Sequence, residues 1–146
     1  MKISTKGEYG LRAMIELALH YGQGYLQSAD IAEARDIPEN YLYQLLITLR
    51  KGGLIQSRRG PQGGHMLART PDRITLSEVI MALEGPIEPT VCTQEGVIID
   101  CPFRETCAMR EVWEQVTEAT QRILTDTTVA DLVAREHEKA AAVAES

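Results

Sequence analysis

Residues 28–69 read SADIAEARDIPENYLYQLLITLRKGGLIQSRRGPQGGHMLAR, and this stretch decides the fold. Ser28 is a good N-cap for a short helix over Ser28 to Ala34. Arg35 to Ile37 make a tight turn into Pro38, which suits the first position of a second helix because its missing N–H would be unpaired there. Gly52-Gly53 supply the stop. In that second helix Leu42, Leu45, Leu46 and Leu49 share one face at the helical step, while Asn40, Gln44, Ile47 and Lys51 lie opposite, flanked by Tyr43 and Thr48. Two short helices joined by a turn predict a helix-turn-helix. Leu54 to Arg58 and His65 to Arg69 then read as strands around Arg59-Gly-Pro-Gln-Gly-Gly64, whose glycines permit a hairpin tip. The combination is a winged helix-turn-helix. By itself the second helix reads better as an ordinary amphipathic surface helix; the basic hairpin after it shifts the reading towards the interface.

Working outward, a first helix is expected from Thr5, with Glu8 completing a capping box, and Leu11, Met14, Ile15, Ala18 and Leu19 at helical spacing. Downstream, Thr75-Leu-Ser-Glu78 is a second capping box, opening a helix that ends at Glu84-Gly85. Met109, Val112, Trp113, Val116, Ala119, Ile123 and Leu124 form an apolar stripe on a long helix, expected to start at Pro102. A compact core of this size cannot cover all of that stripe, so a symmetric dimer contact is its natural partner. Thr128-Val-Ala-Asp131 caps a short final helix. The organisation expected is a DNA-binding unit over 1–85, a cysteine-bearing loop over 86–107, a dimerisation helix with a short follower over 102–132, and a frayed tail over 133–146. The fold class is mainly α with a small β-hairpin wing.

Composition narrows the classes. The chain of 146 residues carries a formal charge of −6, yet residues 35–73 hold seven Lys/Arg against three Asp/Glu, so the remainder carries −10. One basic segment in an acidic protein can still engage a phosphate backbone. No apolar run approaches the ~20 residues of a membrane span, and MKISTKGEYGLRAM has no signal-peptide core, which predicts a cytoplasmic protein without membrane contact. Little supports an enzyme: the chain has no Cys-x-x-Cys pair, His-x-Glu zinc motif, phosphate-cradling glycine loop ahead of a helix, or plausible catalytic triad.

All three cysteines, Cys92, Cys101 and Cys107, fall within sixteen residues. An odd count in a reducing compartment argues against a disulfide framework. A lone cysteine is commonly a small buried hydrophobe, but three gathered on one loop point to shared chemistry. That chemistry could be an iron–sulfur cluster, a zinc site or a metal-free thiol redox switch.

The order of motifs resembles the bacterial winged-helix iron–sulfur regulators that include IscR, NsrR and RirA. The matching residues are Ser4-Thr-Lys-Gly-Glu-Tyr-Gly-Leu-Arg-Ala-Met14, Ile37-Pro-Glu-Asn-Tyr-Leu42, Leu49-Arg-Lys-Gly-Gly-Leu54, Arg59-Gly-Pro-Gln-Gly-Gly64, Ile74-Thr-Leu-Ser-Glu-Val79 with Glu84-Gly85, and Cys107 followed by Trp113. The resemblance implies a homodimeric transcription regulator and repressor that reads a pseudo-palindromic operator in double-stranded DNA, and whose affinity answers to a cluster sensing iron, redox state or nitric oxide. It places DNA contacts at Asn40, Tyr43, Gln44, Arg50, Lys51, Arg58, Arg59, Gly60, Gly63 and His65, cluster ligands at Cys92, Cys101 and Cys107, and the dimer interface at Met109, Val112, Trp113, Val116, Ile123 and Leu124. His65 stands where tyrosine is commoner.

Two departures matter. The gap from Cys92 to Cys101 is longer than in IscR and NsrR, though RirA-like members tolerate this. The position three after Cys107, a histidine ligand in IscR-type proteins, is Arg110, which cannot ligate iron as a neutral donor. By resemblance to NsrR, the fourth ligand expected is Glu8 from the other subunit; the capping box explains Glu8 equally well. His20, His65 and Asp100 follow. Control by a protein partner without any cofactor is the remaining alternative.

Overall fold

The structure, a computed structural model, describes residues 2–146. Helix α1 (Thr5–Leu19), α2 (Ser28–Arg35) and α3 (Glu39–Lys51) are followed by strands β1 (Ile55–Arg58) and β2 (Gly64–Leu67), then α4 (Leu76–Glu84), α5 (Ala108–Asp126) and α6 (Val129–Glu145). Asp36, at φ 51°, makes the left-handed turn between α2 and α3. Pro38 is the N-cap of α3, one position earlier than expected, and Gly52 and Gly53 end that helix. Leu42, Leu45, Leu46 and Leu49 are all buried, as their spacing predicts. They join Ala13, Met14 and Leu17 of α1, Ile31 of α2, Leu54, Ile55 and Leu67 around the wing, and Val79 and Leu83 of α4 in one core.

The wing is an antiparallel pair with Ile55 opposite Leu67 and Ser57 opposite His65. Leu26 adds a single bridge on the other side, exchanging two 2.8 Å backbone hydrogen bonds with His65. Gly64 makes that approach possible: at φ 138° a Cβ there would sit 2.5 Å from the Leu26 carbonyl oxygen. The two later capping boxes form as written in the sequence, Thr75 with Glu78 and Thr128 with Asp131. These two helix starts are stitched together by Leu76 N–H to Thr127 O and Val129 N–H to Ile74 O, at 2.8 and 2.9 Å. That contact returns Val129 to the core.

Three expectations are corrected. The Thr5–Glu8 capping box does not form: Ser4 is the N-cap, without a side-chain cap bond. Glu84 takes over the role from the end of α4, accepting from Ser4 N–H at 2.9 Å, Gly7 N–H at 3.1 Å and the Ser4 hydroxyl. These donations, the Ser4 hydroxyl's first, hold the Glu84 carboxyl below its usual range. Second, α5 begins at Ala108, not Pro102. Residues 102–106 form tight turns, with Arg104 N–H on Cys101 O and Thr106 N–H on Phe103 O, which replace the helical bonding pattern. Third, the segment expected to end in a frayed tail is one helix to Glu145. Arg35 reaches across from α2 to Glu136 at 2.8 Å and to the buried Glu16 at 2.7 Å, fixing α6 against α1 and α2.

Candidate nucleic-acid interface and cysteine site

Burying the four leucines of α3 turns its opposite face outward. Asn40, Gln44, Arg50 and Lys51 are exposed, with Tyr43 and Ile47 at 48% and 39% of their surface. Amides, a phenol and cations on one helix face are the groups that read base edges and phosphates. Beside them stands the wing tip, where Arg58, Arg59 and Gly60 are exposed and Gly63 is buried. Gly63 is required by packing, since a Cβ there would lie 2.0 Å from the Arg58 carbonyl oxygen. Arg58 lies 5.9 Å from the Tyr25 ring centroid, a cation–π contact that orients its guanidinium. Gln27 Nε2 donates to Gly63 O at 2.7 Å and braces the tip. Tyr25, Leu26 and Gln27 were missed in the sequence because a lone bridge leaves no periodic signature; polar and aromatic residues just ahead of Ser28 were the only hint.

His65 is half-buried in the wing with Nδ1 2.7 Å from Ser57 Oγ. Burial first, and the charge of Arg50 second, push its pKa below the usual value of 6.5.

The cysteine loop behaves differently. Cys92 sits in a single 3-10 turn, Val91–Thr93, with its sulfur 3.0 Å from Thr90 Oγ1. Cys101 opens the 102–106 turn and Cys107 is the N-cap of α5. All three, half-exposed and unbridged, border one cavity of about 60 Å³ with Val97, Ile99, Arg104 and Arg110. Among the described residues no three His, Cys, Asp or Glu side chains are gathered as a ready-made metal site. The donors thus share a cavity without converging. Of the fourth-ligand candidates, Glu8 is exposed on α1; His20 pairs with Glu16 at 3.2 Å and His65 with Ser57; Asp100 is exposed beside Cys101.

Helix α5 divides its stripe. Thr117 is buried, and Trp113, Val116 and Leu124 are half-buried, whereas Met109, Val112 and Ile123 are exposed at 64%, 52% and 63%. No helix among the described residues is long and apolar enough to cross a membrane.

The Rrf2 family profile, described as an iron-dependent transcriptional regulator, matches residues 3–135. The chain is 42% identical over 132 residues to the HTH-type transcriptional regulator CymR of Bacillus subtilis, covering 90% of this chain and 89% of that one. It is 37% identical over 134 residues to the HTH-type transcriptional regulator IscR of Erwinia tasmaniensis, covering 91% and 79%. Among solved structures, CymR, titled the global cysteine regulator of B. subtilis, superposes with a TM-score of 0.77 at 41% identity, covering 92% of this chain and 98% of that one. IscR of T. potens superposes at 0.76 and 37% identity, covering 95% and 90%.

Proposed function

Because the chain belongs to the Rrf2 family of DNA-binding transcriptional regulators, and is not an enzyme, we propose that it is a cytoplasmic homodimer whose operator affinity is set by an iron–sulfur cluster on the 86–107 loop. The operator is a pseudo-palindrome, each half read by one α3 and its wing, with half-sites about one DNA turn or a multiple apart. Exposed Met109, Val112 and Ile123 on α5 meet their counterparts across the two-fold axis.

One observation carries the sensing reading: Cys92, Cys101 and Cys107 border the same cavity, with Arg104 and Arg110 beside them. Thiolates are the usual iron–sulfur ligands, and three of them with bridging sulfides carry excess negative charge. The two guanidiniums and the positive end of α5, where Cys107 is the N-cap, suit that charge. When bound, the cluster supplies a redox- and nitric-oxide-sensitive centre. Glu8 of the partner subunit would complete the ligand set; among the described residues no cap bond engages the Glu8 carboxylate. Held by Cys92, Cys101 and Cys107, such a cluster would tie the loop to the start of α5, and through α5 would set the spacing of the two α3 helices. Release of the thiolates lets that spacing relax. A hundredfold change in DNA affinity needs only ~2.7 kcal/mol of such coupling.

The test is anaerobic purification with iron and acid-labile sulfide assays. Replacing Cys92, Cys101 and Cys107 together by Ala is expected to leave the fold intact, abolish both iron and sulfide, and change affinity for a duplex selected by the parent protein. A specific observation favours a second reading: the donors are not pre-assembled, and a solved relative 41% identical to this chain is described as the global cysteine regulator of B. subtilis. In that reading the cysteines form a thiol switch or a zinc site, or a protein partner controls the dimer. Parent protein lacking iron and sulfide after reconstitution, yet binding DNA fully, would establish that reading and remove the cluster.

A further inference from the structure

Between the outer face of α3 and the floor of the wing lies a slot of about 60 Å³ bordered by Tyr43, Leu46, Ile47, Arg50, Ser57 and His65. Leu46 is buried and closes its base, while Tyr43, Ile47 and Arg50 are exposed, so the slot opens on the DNA-facing side of α3. Ser57 and His65 are cross-strand partners, and the Leu26 bridge holds the His65 backbone from the other edge. The ring is therefore fixed by the hairpin and not carried on a mobile tip. Arg50 and Tyr43 face it from α3 and Ser57 from β1; neighbouring Arg58 is drawn to Tyr25, and no carboxylate borders the slot. A guanidinium, a hydroxyl and an imidazole converging without an opposing anion suit a singly charged phosphate.

We propose that this slot seats one backbone phosphate of the DNA, gripped jointly by Arg50, Ser57 and His65, and that docking draws a proton from solvent onto His65. The inference rests on the DNA-binding reading above. In the free protein burial and Arg50 disfavour the imidazolium. A phosphate arriving in the slot reverses that balance, since an anion in contact favours the charged ring. The neutral imidazole has one N–H to donate; protonated, it has two. Nδ1–H then donates to Ser57 Oγ, which frees the Ser57 hydroxyl proton for the phosphate. Ser57 is thus a phosphate-binding residue that its place in a strand did not advertise. DNA binding becomes tighter as pH falls, by at most one proton's worth.

The experiment uses the full chain and a duplex chosen by this protein from a random-sequence library, followed by fluorescence anisotropy at constant salt. Binding is expected to be several-fold tighter near pH 6 than near pH 8, roughly three- to fivefold for a one-unit rise in a single pKa that starts below 6.5. His65→Gln is expected to flatten this dependence and to lower the salt slope by about one. The other two histidines, His20 at the end of α1 and His137 on α6, do not border the slot. Proton NMR of the His65 ring provides a readout without mutation: its titration midpoint should rise when the duplex binds. An unchanged midpoint, or parent and His65→Gln sharing one pH profile, overturns the slot while leaving DNA binding intact. Failure of the parent to bind any selected duplex overturns both the slot and the reading beneath it.

Discussion

The DNA-reading unit and the cysteine-bearing region are built to different standards. Every buried hydrophobic residue of the core lies between Ala13 and Leu83, apart from Val129. From Glu84 to Thr128 the buried residues are Thr117 and Thr127 alone, both polar. The first region has its apolar faces paired within one chain, so packing fixes its geometry. The second has a loop with few hydrogen bonds, three thiols on one cavity, and a helix whose apolar stripe is half-buried in one part and exposed in the other. In the proposed reading, a head made rigid by its own core is coupled to a region that a ligand or a second copy would order.

The contrast can be broken most forcefully at Leu49. It is fully buried, so Leu49→Ala should cost about 2–5 kcal/mol in urea unfolding by opening a cavity. Val112→Ala, on the exposed stripe, should change monomer stability by no more than about 0.5 kcal/mol, yet raise the dissociation constant of the proposed dimer in sedimentation equilibrium. Equal losses from the two substitutions at concentrations where the protein is monomeric would erase the distinction.

The next effect is at the wing. Gly64→Ala places a Cβ against the Leu26 carbonyl at a positive φ, which should cost about 1–3 kcal/mol and release the bridge. Amide hydrogen exchange at Leu26 and His65 should accelerate while α3 stays protected. A uniform loss of protection would mean that the wing is not separable from the helices.

The smallest effect lies at the seam between the two regions. Glu84 has a folded-state pKa depressed below its usual value of 4.5, so its contribution is present above that pH and fades as pH falls through and below it. Glu84→Gln should therefore lower the melting temperature slightly at neutral pH, and the gap from the parent should close on acidification. A gap constant from pH 7 to pH 3 would show that the carboxylate charge is not what clasps α1 to the end of α4.

Local signals were read correctly where local physics rules. The Thr75–Glu78 and Thr128–Asp131 boxes span three residues and form without help from elsewhere. Thr5–Glu8 has the same pattern and fails, because Glu84 from another helix occupies the α1 N-terminus. Pro102 permits a helix start, but turns closed by the Cys101 and Phe103 carbonyls take the chain instead. The Ala-rich end of α6 reads in the sequence as a frayed tail despite its helix propensity, and its anchor, Arg35 on Glu136, joins residues 101 positions apart.

By itself the amino-acid order determined the helix-turn-helix, the wing, the outward face of α3 and the grouping of all thiols on one loop, since each depends on periodicity, turn chemistry or spacing along the chain. Only the tertiary structure decided that Leu26 and Gln27 brace the wing, that Ser57 and His65 share a slot with Arg50, that the α5 stripe splits into a packed half and an exposed half, and that the three sulfurs border one cavity. Those contacts join segments distant in sequence, and their partners are chosen by which apolar faces bury each other, a choice that no local pattern records.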